Sequence, residues 1–142
     1  MYTKKIITVL LVLIVAMSAI AAPLNAFAAE DSLQWSYIHA ISFNISFNGT
    51  SGSVYAYCSL YPSCIYSEGR LTLYELDEDD EWVRIGMWLN SSVLETLDLY
   101  GSFDAVPGTY YMATFSIKAY GDQYSYDEEF LEDYSTCPTQ SN

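Results

Sequence analysis

The stretch Thr109-Tyr110-Tyr111-Met112-Ala113-Thr114-Phe115-Ser116-Ile117-Lys118-Ala119-Tyr120 is the clearest β-strand in the chain. Every second residue is apolar: Tyr111, Ala113, Phe115, Ile117 and Ala119 point one way, and Tyr110, Met112, Thr114, Ser116 and Lys118 the other. A period of two is the mark of a strand with one face buried. The loop Asp104-Ala105-Val106-Pro107-Gly108 precedes the run and Gly121-Asp122 follows it, so both ends carry turn residues.

Reading outward, the same alternation recurs. Upstream, Val93 to Tyr100 is a shorter run in which Val93, Leu97 and Leu99 share a face with Glu95. Trp82 to Leu89 alternates Val83, Ile85, Met87 and Leu89 against Trp82, Arg84, Gly86 and Trp88. The acidic tip Asp77-Glu78-Asp79-Asp80-Glu81 joins it to Arg70 to Leu76. In Ser53 to Leu60 the small apolar row Val54, Ala56, Cys58 and Leu60 faces the core, and Tyr55 and Tyr57 face out. Trp35 to Phe47 sets Tyr37, His39, Ile41, Phe43, Ile45 and Phe47 on one face, and Asn48-Gly49 turns the chain. Downstream, Gln123 to Leu131 is the last run, and the tail from about Glu132 is expected to be loose.

Runs of this kind, separated by turns and with no helical periodicity, predict an all-β fold. The expected architecture is an antiparallel two-sheet sandwich of about seven strands in meander order, of immunoglobulin or fibronectin type, with an open β-barrel as the alternative.

The N-terminus carries a different signal. Lys4-Lys5, an apolar run from Ile6 to Ala22 and the small-residue stretch Ala26-Phe27-Ala28-Ala29 have the three parts of an export signal. Cleavage is expected between Ala28 and Ala29. Residues 1–28 are then a signal peptide and 29–142 one domain, released outside the cell and held by no lipid or membrane anchor, the alternative being an uncleaved anchor. The triplets at Asn44, Asn48 and Asn90 would accept N-glycans in a eukaryote, whereas the short basic n-region suits a Gram-positive bacterium.

Removing that segment leaves three basic residues, Arg70, Arg84 and Lys118, against all 18 acidic ones, a formal charge of −15. Nucleic acid and anionic membrane are therefore poor partners. The 13 tyrosines other than Tyr2, with three tryptophans, supply ample apolar area for folding.

The segment Val106-Pro107-Gly108-Thr109-Tyr110-Tyr111 resembles the start of the sixth strand in fibronectin-like sandwiches, where a tyrosine after a glycine turn forms a tyrosine corner. The resemblance assigns that role to Tyr110. No cysteine lies in Thr109 to Tyr120, so the inter-sheet disulfide of true immunoglobulin domains is ruled out. More broadly, the signal segment, the unit Leu71 to Trp88 and the Gly-x-Tyr strand make the chain similar to small secreted β-sandwich proteins of Gram-positive bacteria. That resemblance implies a fold and no activity.

Among chemistry-bearing residues, Cys58, Cys64 and Cys137 are expected to pair in an oxidising compartment. Cys58 with Cys64, across five residues, is favoured, and a bridge from Cys137 to either is the rival. His39 is the only histidine, and no nucleophile or metal signature accompanies it, so neither catalysis nor a cofactor is expected. A weak surface calcium site at Asp77, Asp79 and Glu81 is conceivable, although the loop lacks the glycine and final glutamate of an EF-hand. The tyrosines Tyr55, Tyr57, Tyr61 and Tyr66 are the candidate recognition surface, for a glycan or an extracellular protein. The competing reading is a structural or interaction protein without a small ligand.

Overall fold

The computed structural model describes residues 35–139. The expected export signal, residues 1–28, lies outside the described residues. Seven strands follow one another: β1 Ile38–Asn48, β2 Ser51–Leu60, β3 Tyr66–Leu76, β4 Trp82–Ser92, β5 Thr96–Asp104, β6 Tyr110–Tyr120 and β7 Tyr126–Thr136. All pairings are antiparallel, and the strands form two sheets ordered β1-β2-β5 and β4-β3-β6-β7. The fold is thus a β-sandwich of immunoglobulin and fibronectin type and not a closed barrel. No helix occurs among the described residues, nor therefore one able to cross a membrane.

Strand order departs from the expected meander. The chain changes sheet between β2 and β3, between β4 and β5, and again between β5 and β6, so β2 pairs with β5 and β3 with β6. The reason is burial. Crossing over lets the inner row of each sheet find an apolar row to face, which a single flat meander of this length would leave in water.

That core is built from β2 and β6, each flanked by partners on both edges. Val54, Ala56, Cys58 and Leu60 meet Tyr111, Ala113, Phe115, Ile117 and Ala119, with Leu71, Leu73, Leu97 and Leu99 filling between. Each fully buried Leu, Ile or Phe contributes about 1.5–3 kcal/mol. In β5 Leu97 and Leu99 lie in the core and Phe103 packs against it; Val93 and Glu95 belong to the connection before it and are exposed.

The β1 register shifts between Ile38 and Ala40. One inserted residue reverses the parity, so Ile38 turns inward and His39 turns out, against the single apolar row expected from Tyr37 onward. His39 packs edge-on against Tyr61, ring centroids 5.0 Å apart.

The tail expected to be loose from Glu132 is instead the second half of β7, and Cys137 beyond it is fully buried. Two devices hold it. The N–H of Cys137 donates to Thr109 O at 3.0 Å, and the N–H of Gly108, at a φ of 84°, donates back to Cys137 O at 2.8 Å. The β7 side chains facing the sandwich flank are also carboxylates that cap the neighbouring edge of β1. Asp127 accepts from the N–H groups of Tyr37 at 2.6 Å and Ile38 at 3.0 Å, Asp133 from that of Ile45 at 3.0 Å, and Glu129 from the indole of Trp35 at 3.2 Å. Those N–H groups point away from β2, so a carboxylate replaces the missing ladder partner, and bonds to a charged acceptor contribute about 1.5–3 kcal/mol each.

None of the three cysteines is bonded, which corrects both expected pairings. The five residues between Cys58 and Cys64 are a crossover between sheets and not a hairpin, so the two positions do not face each other across a ladder. Their thiols point to separate carbonyls, Cys58 to Ser59 O at 3.7 Å and Cys64 to Tyr66 O at 3.3 Å. Cys137 lies beside Gly49 O at 3.6 Å, at the opposite end of β1 from Cys58, whose register partner is Ile41. Eight extended residues place those ends roughly 27 Å apart, far beyond disulfide reach. Burial, with Cys64 nearby, pushes the Cys58 thiol up to about 12. A thiol titration at pH 8 is therefore expected to find no fast-reacting group in the native chain and three per chain in guanidinium without reductant. Fewer than three after denaturation would contradict the free-thiol arrangement.

Candidate functional site

The four tyrosines singled out from the sequence do not form one surface. Tyr55 and Tyr57 lie on the outer face of the three-stranded sheet, beside Tyr100 and among Ser42, Asn44, Ser53 and Asp98. Tyr61 belongs to the β2–β3 connection, against His39. Tyr66 opens β3 and so belongs to the other sheet. The crossover after Leu60 is what separates them.

The outer face of the four-stranded sheet brings together residues that are far apart in the chain. Ladder register aligns Tyr66, Tyr120 and Tyr126 in one row, with centroids 5.8 and 5.6 Å apart. The next outward row is Glu68, Lys118 and Glu128, followed by Arg70, Ser116 and Phe130, with Leu89 of β4 beside Arg70. Lys118 pairs with Glu128 at 3.5 Å and stands 5.1 Å over the Tyr126 ring. The Tyr120 hydroxyl donates to Glu68 at 2.9 Å, and that bond holds its phenol above the usual range. At the far end of the face, Tyr110 and Tyr134 stack at 6.1 Å and 21°, with Trp82 against both.

Between the edge strand β4 and the pair β6 and β7 the face is concave. A groove of about 720 Å³ runs over Glu68 and Arg70, walled by Leu89, Asn90 and Ser91 on one side and Ser116, Lys118 and Glu128 on the other, with Tyr66 at its end. Its volume falls in the range of small-ligand clefts. Along β4 Met87 and Leu89 stand on the outer face, Leu89 65% exposed, while Gly86 and Trp88 turn toward the sandwich; the register shift at Leu73/Tyr74 reverses parity beyond Ile85, so Arg84 and Trp82 continue the outer face. One signal for this face was legible, the polar row of the 109–120 run interrupted by Tyr110 and Tyr120. Its neighbours were not, since they depend on which strands pair.

The acidic tip uses its own groups to turn the chain. One Asp77 oxygen accepts the N–H groups of Asp79 at 2.9 Å and Glu81 at 2.8 Å, with Asp80 at a φ of 60°. No group of three or more His, Cys, Asp or Glu residues placed to hold a metal ion occurs among the described residues.

Fold and groove together describe a small β-sandwich that presents an aromatic-lined outer sheet face. No family model matches the chain, and no curated protein matches it. Solved structures show likeness to part of Parabacteroides merdae beta-glucuronidase, at 13% identity and a TM-score of 0.41 over 72% of this chain and 13% of that one. A second is Spo0M, a sporulation control protein from Bacillus subtilis, at 9% identity and a TM-score of 0.39, covering 70% of this chain and 49% of that one. The chain thus spans a small part of the first and about half of the second. At these scores neither bears on ligand or activity.

Proposed function

We propose that this chain is a non-catalytic, secreted binding module that takes a glycan on the outer face of its four-stranded sheet. The observation that supports this is the groove over Glu68 and Arg70, with Tyr66 at its end and Tyr120 and Tyr126 continuing that row across the sheet beyond it. Aromatic rings held side by side on a rigid sheet offer stacking surfaces for the apolar faces of sugar rings, and the flanking carboxylates, serines and cations supply hydrogen bonds to hydroxyls. Such binding needs no nucleophile, general base or metal.

The surface differs from the one read off the sequence: Tyr66 is kept, and Tyr55, Tyr57 and Tyr61 give way to Tyr120 and Tyr126. A glycan array probed with wild type and with Tyr66→Ala, Tyr126→Ala, Tyr55→Ala and Tyr57→Ala tests it. The first two substitutions are expected to weaken binding about tenfold, equivalent to about 1.4 kcal/mol, and the last two to leave it unchanged. The reverse pattern would move the site to the three-stranded sheet. Secretion has its own check, an intact mass corresponding to a product that begins at Ala29.

A second reading, a protein partner, draws on one feature: the exposed row Ile85, Met87 and Leu89 on an edge strand. Edge strands with apolar faces are ready sites for protein contact. Under that reading Met87→Glu abolishes capture and the tyrosine variants do not.

A further inference from the structure

We infer that the glycan bound in this groove is anionic, and that Arg70 receives its carboxylate; this rests on the glycan reading above. The argument begins with the distribution of charge. The chain has five basic residues against 18 acidic ones, and Lys4 and Lys5 lie outside the described residues. The other three, Arg70 on β3, Arg84 on β4 and Lys118 on β6, are all in the four-stranded sheet, and the three-stranded sheet has none. In so acidic a chain any cation has carboxylates within easy reach. Lys118 takes one, Glu128, and this is the only ion pair among the described residues.

Arg70 takes none. Its neighbours across the ladders are Leu89 on one side and Ser116 on the other, with Phe130 beyond, and none of them is an acceptor of opposite charge. Of the two carboxylates that line the groove, Glu68 accepts the Tyr120 hydroxyl and Glu128 pairs with Lys118, and neither is bonded to Arg70. What remains over the groove floor is an exposed guanidinium whose planar fork matches a carboxylate in two parallel bonds. A neutral sugar leaves that charge unmatched. Carboxylates more than about 8 Å away are screened at physiological ionic strength, and of the charges that line the groove Glu128 is paired with Lys118, so an anion entering it meets Arg70 and Glu68.

Geometry also sets the size of the ligand. Tyr66 and Arg70 stand four residues apart on β3, roughly 13 Å along the strand. A ligand that spans both positions along the strand is longer than one sugar ring, so the matching probe is an oligosaccharide.

Calorimetry with the purified chain tests this against carboxylated hexasaccharides, uronic-acid and sialylated, each beside its methyl ester, which removes the charge and keeps the ring. Expected are binding of one acid form at least tenfold tighter than its ester, and weakening of the acid alone as salt rises from low to high. Arg70→Gln should weaken the acid at least tenfold and the ester clearly less, so that the gap between acid and ester closes. Glu128→Gln, which frees Lys118, should tighten the acid several-fold. Melting curves of both variants should overlay wild type, since both side chains are exposed. Equal affinity for acid and ester, indifferent to Arg70→Gln, would overturn the anionic assignment while the glycan reading stands. If neither these probes nor a neutral glycan panel binds, both fall.

Discussion

Truncating Trp88 to alanine is expected to remove about 3–5 kcal/mol of folding stability, the range for loss of a large aromatic from a packed site. The indole does more than fill space. Trp88 sits on the inner side of β4, opposite Leu71, and its ring crosses to the other sheet and lies flat over Gly101 of β5. A Cβ at Gly101 would stand 2.3 Å from the ring, and one at Gly86 would stand 2.5 Å from Cη2 of the same six-membered ring. Strands β4 and β5 share no ladder, so this contact closes their flank of the sandwich as the β7 carboxylates close the opposite one. Gly101→Ala therefore displaces a braced ring and should cost about 1–3 kcal/mol by overpacking. With Trp88 already truncated the same methyl enters vacated space, so the double variant should lose clearly less than the two single losses added. Chemical denaturation of the four proteins measures this. Simple additivity would show that the ring does not rest on Gly101.

The second large effect falls at Tyr111→Phe, which should cost about 1–3 kcal/mol, while Tyr110→Phe should stay within about 0.5 kcal/mol of wild type. Here the structure corrects the sequence resemblance by one position. The corner residue is Tyr111, 0% exposed, whose hydroxyl oxygen accepts the N–H of Val106 at 2.9 Å. Tyr110, 38% exposed, points to the outer face against Trp82 and Tyr134. Removing the Tyr111 oxygen leaves the N–H without its partner beneath the loop that leads into β6. Burial chiefly holds the Tyr111 phenol above its ordinary value of 10.0. A raised folded pKa means that this stabilisation is present below the unfolded value and is lost as pH rises through the folded one. Wild type should thus lose stability above about pH 10 more steeply than Tyr111→Phe. Equal costs at 110 and 111 would reject the assignment.

The same one-residue question recurs wherever the reading of the sequence and the fold diverge. Alternation in β2 and β6 was legible because both strands lie between two partners and bury one whole row, so period two is written out without interruption. In β4, an edge strand, the pattern misleads about which side is in. Met87 and Leu89 face out because the inner row must hold Gly86 and Trp88 to reach β5, and the register shift at Leu73/Tyr74 reverses parity beyond Ile85 and puts Arg84 and Trp82 on the outer face. In β1 the shift at Ile38 reverses parity for the first residues, which sends His39 to the surface. Each case follows from the fact that one step along a strand exchanges the two faces.

For β7 the difficulty was its composition. Asp133 read as part of a loose tail, and Asp127 and Glu129 as carboxylates of a strand with no assigned neighbour, until β1 stands beside them with unpaired N–H groups to satisfy. The candidate site has the same history: Tyr66, Tyr120 and Tyr126 were each visible as strand tyrosines, but their row exists only once β3, β6 and β7 pair in register. By itself the sequence determined the all-β class, about seven strands, and the identity of the core rows in β2 and β6, because alternation is a local property of the chain. Which strands lie side by side, which tyrosines share a face, where the cysteines stand and why Arg70 has no carboxylate partner were decided only by the tertiary structure. Strand pairing is set by the burial of residues distant in sequence, and no local pattern encodes it.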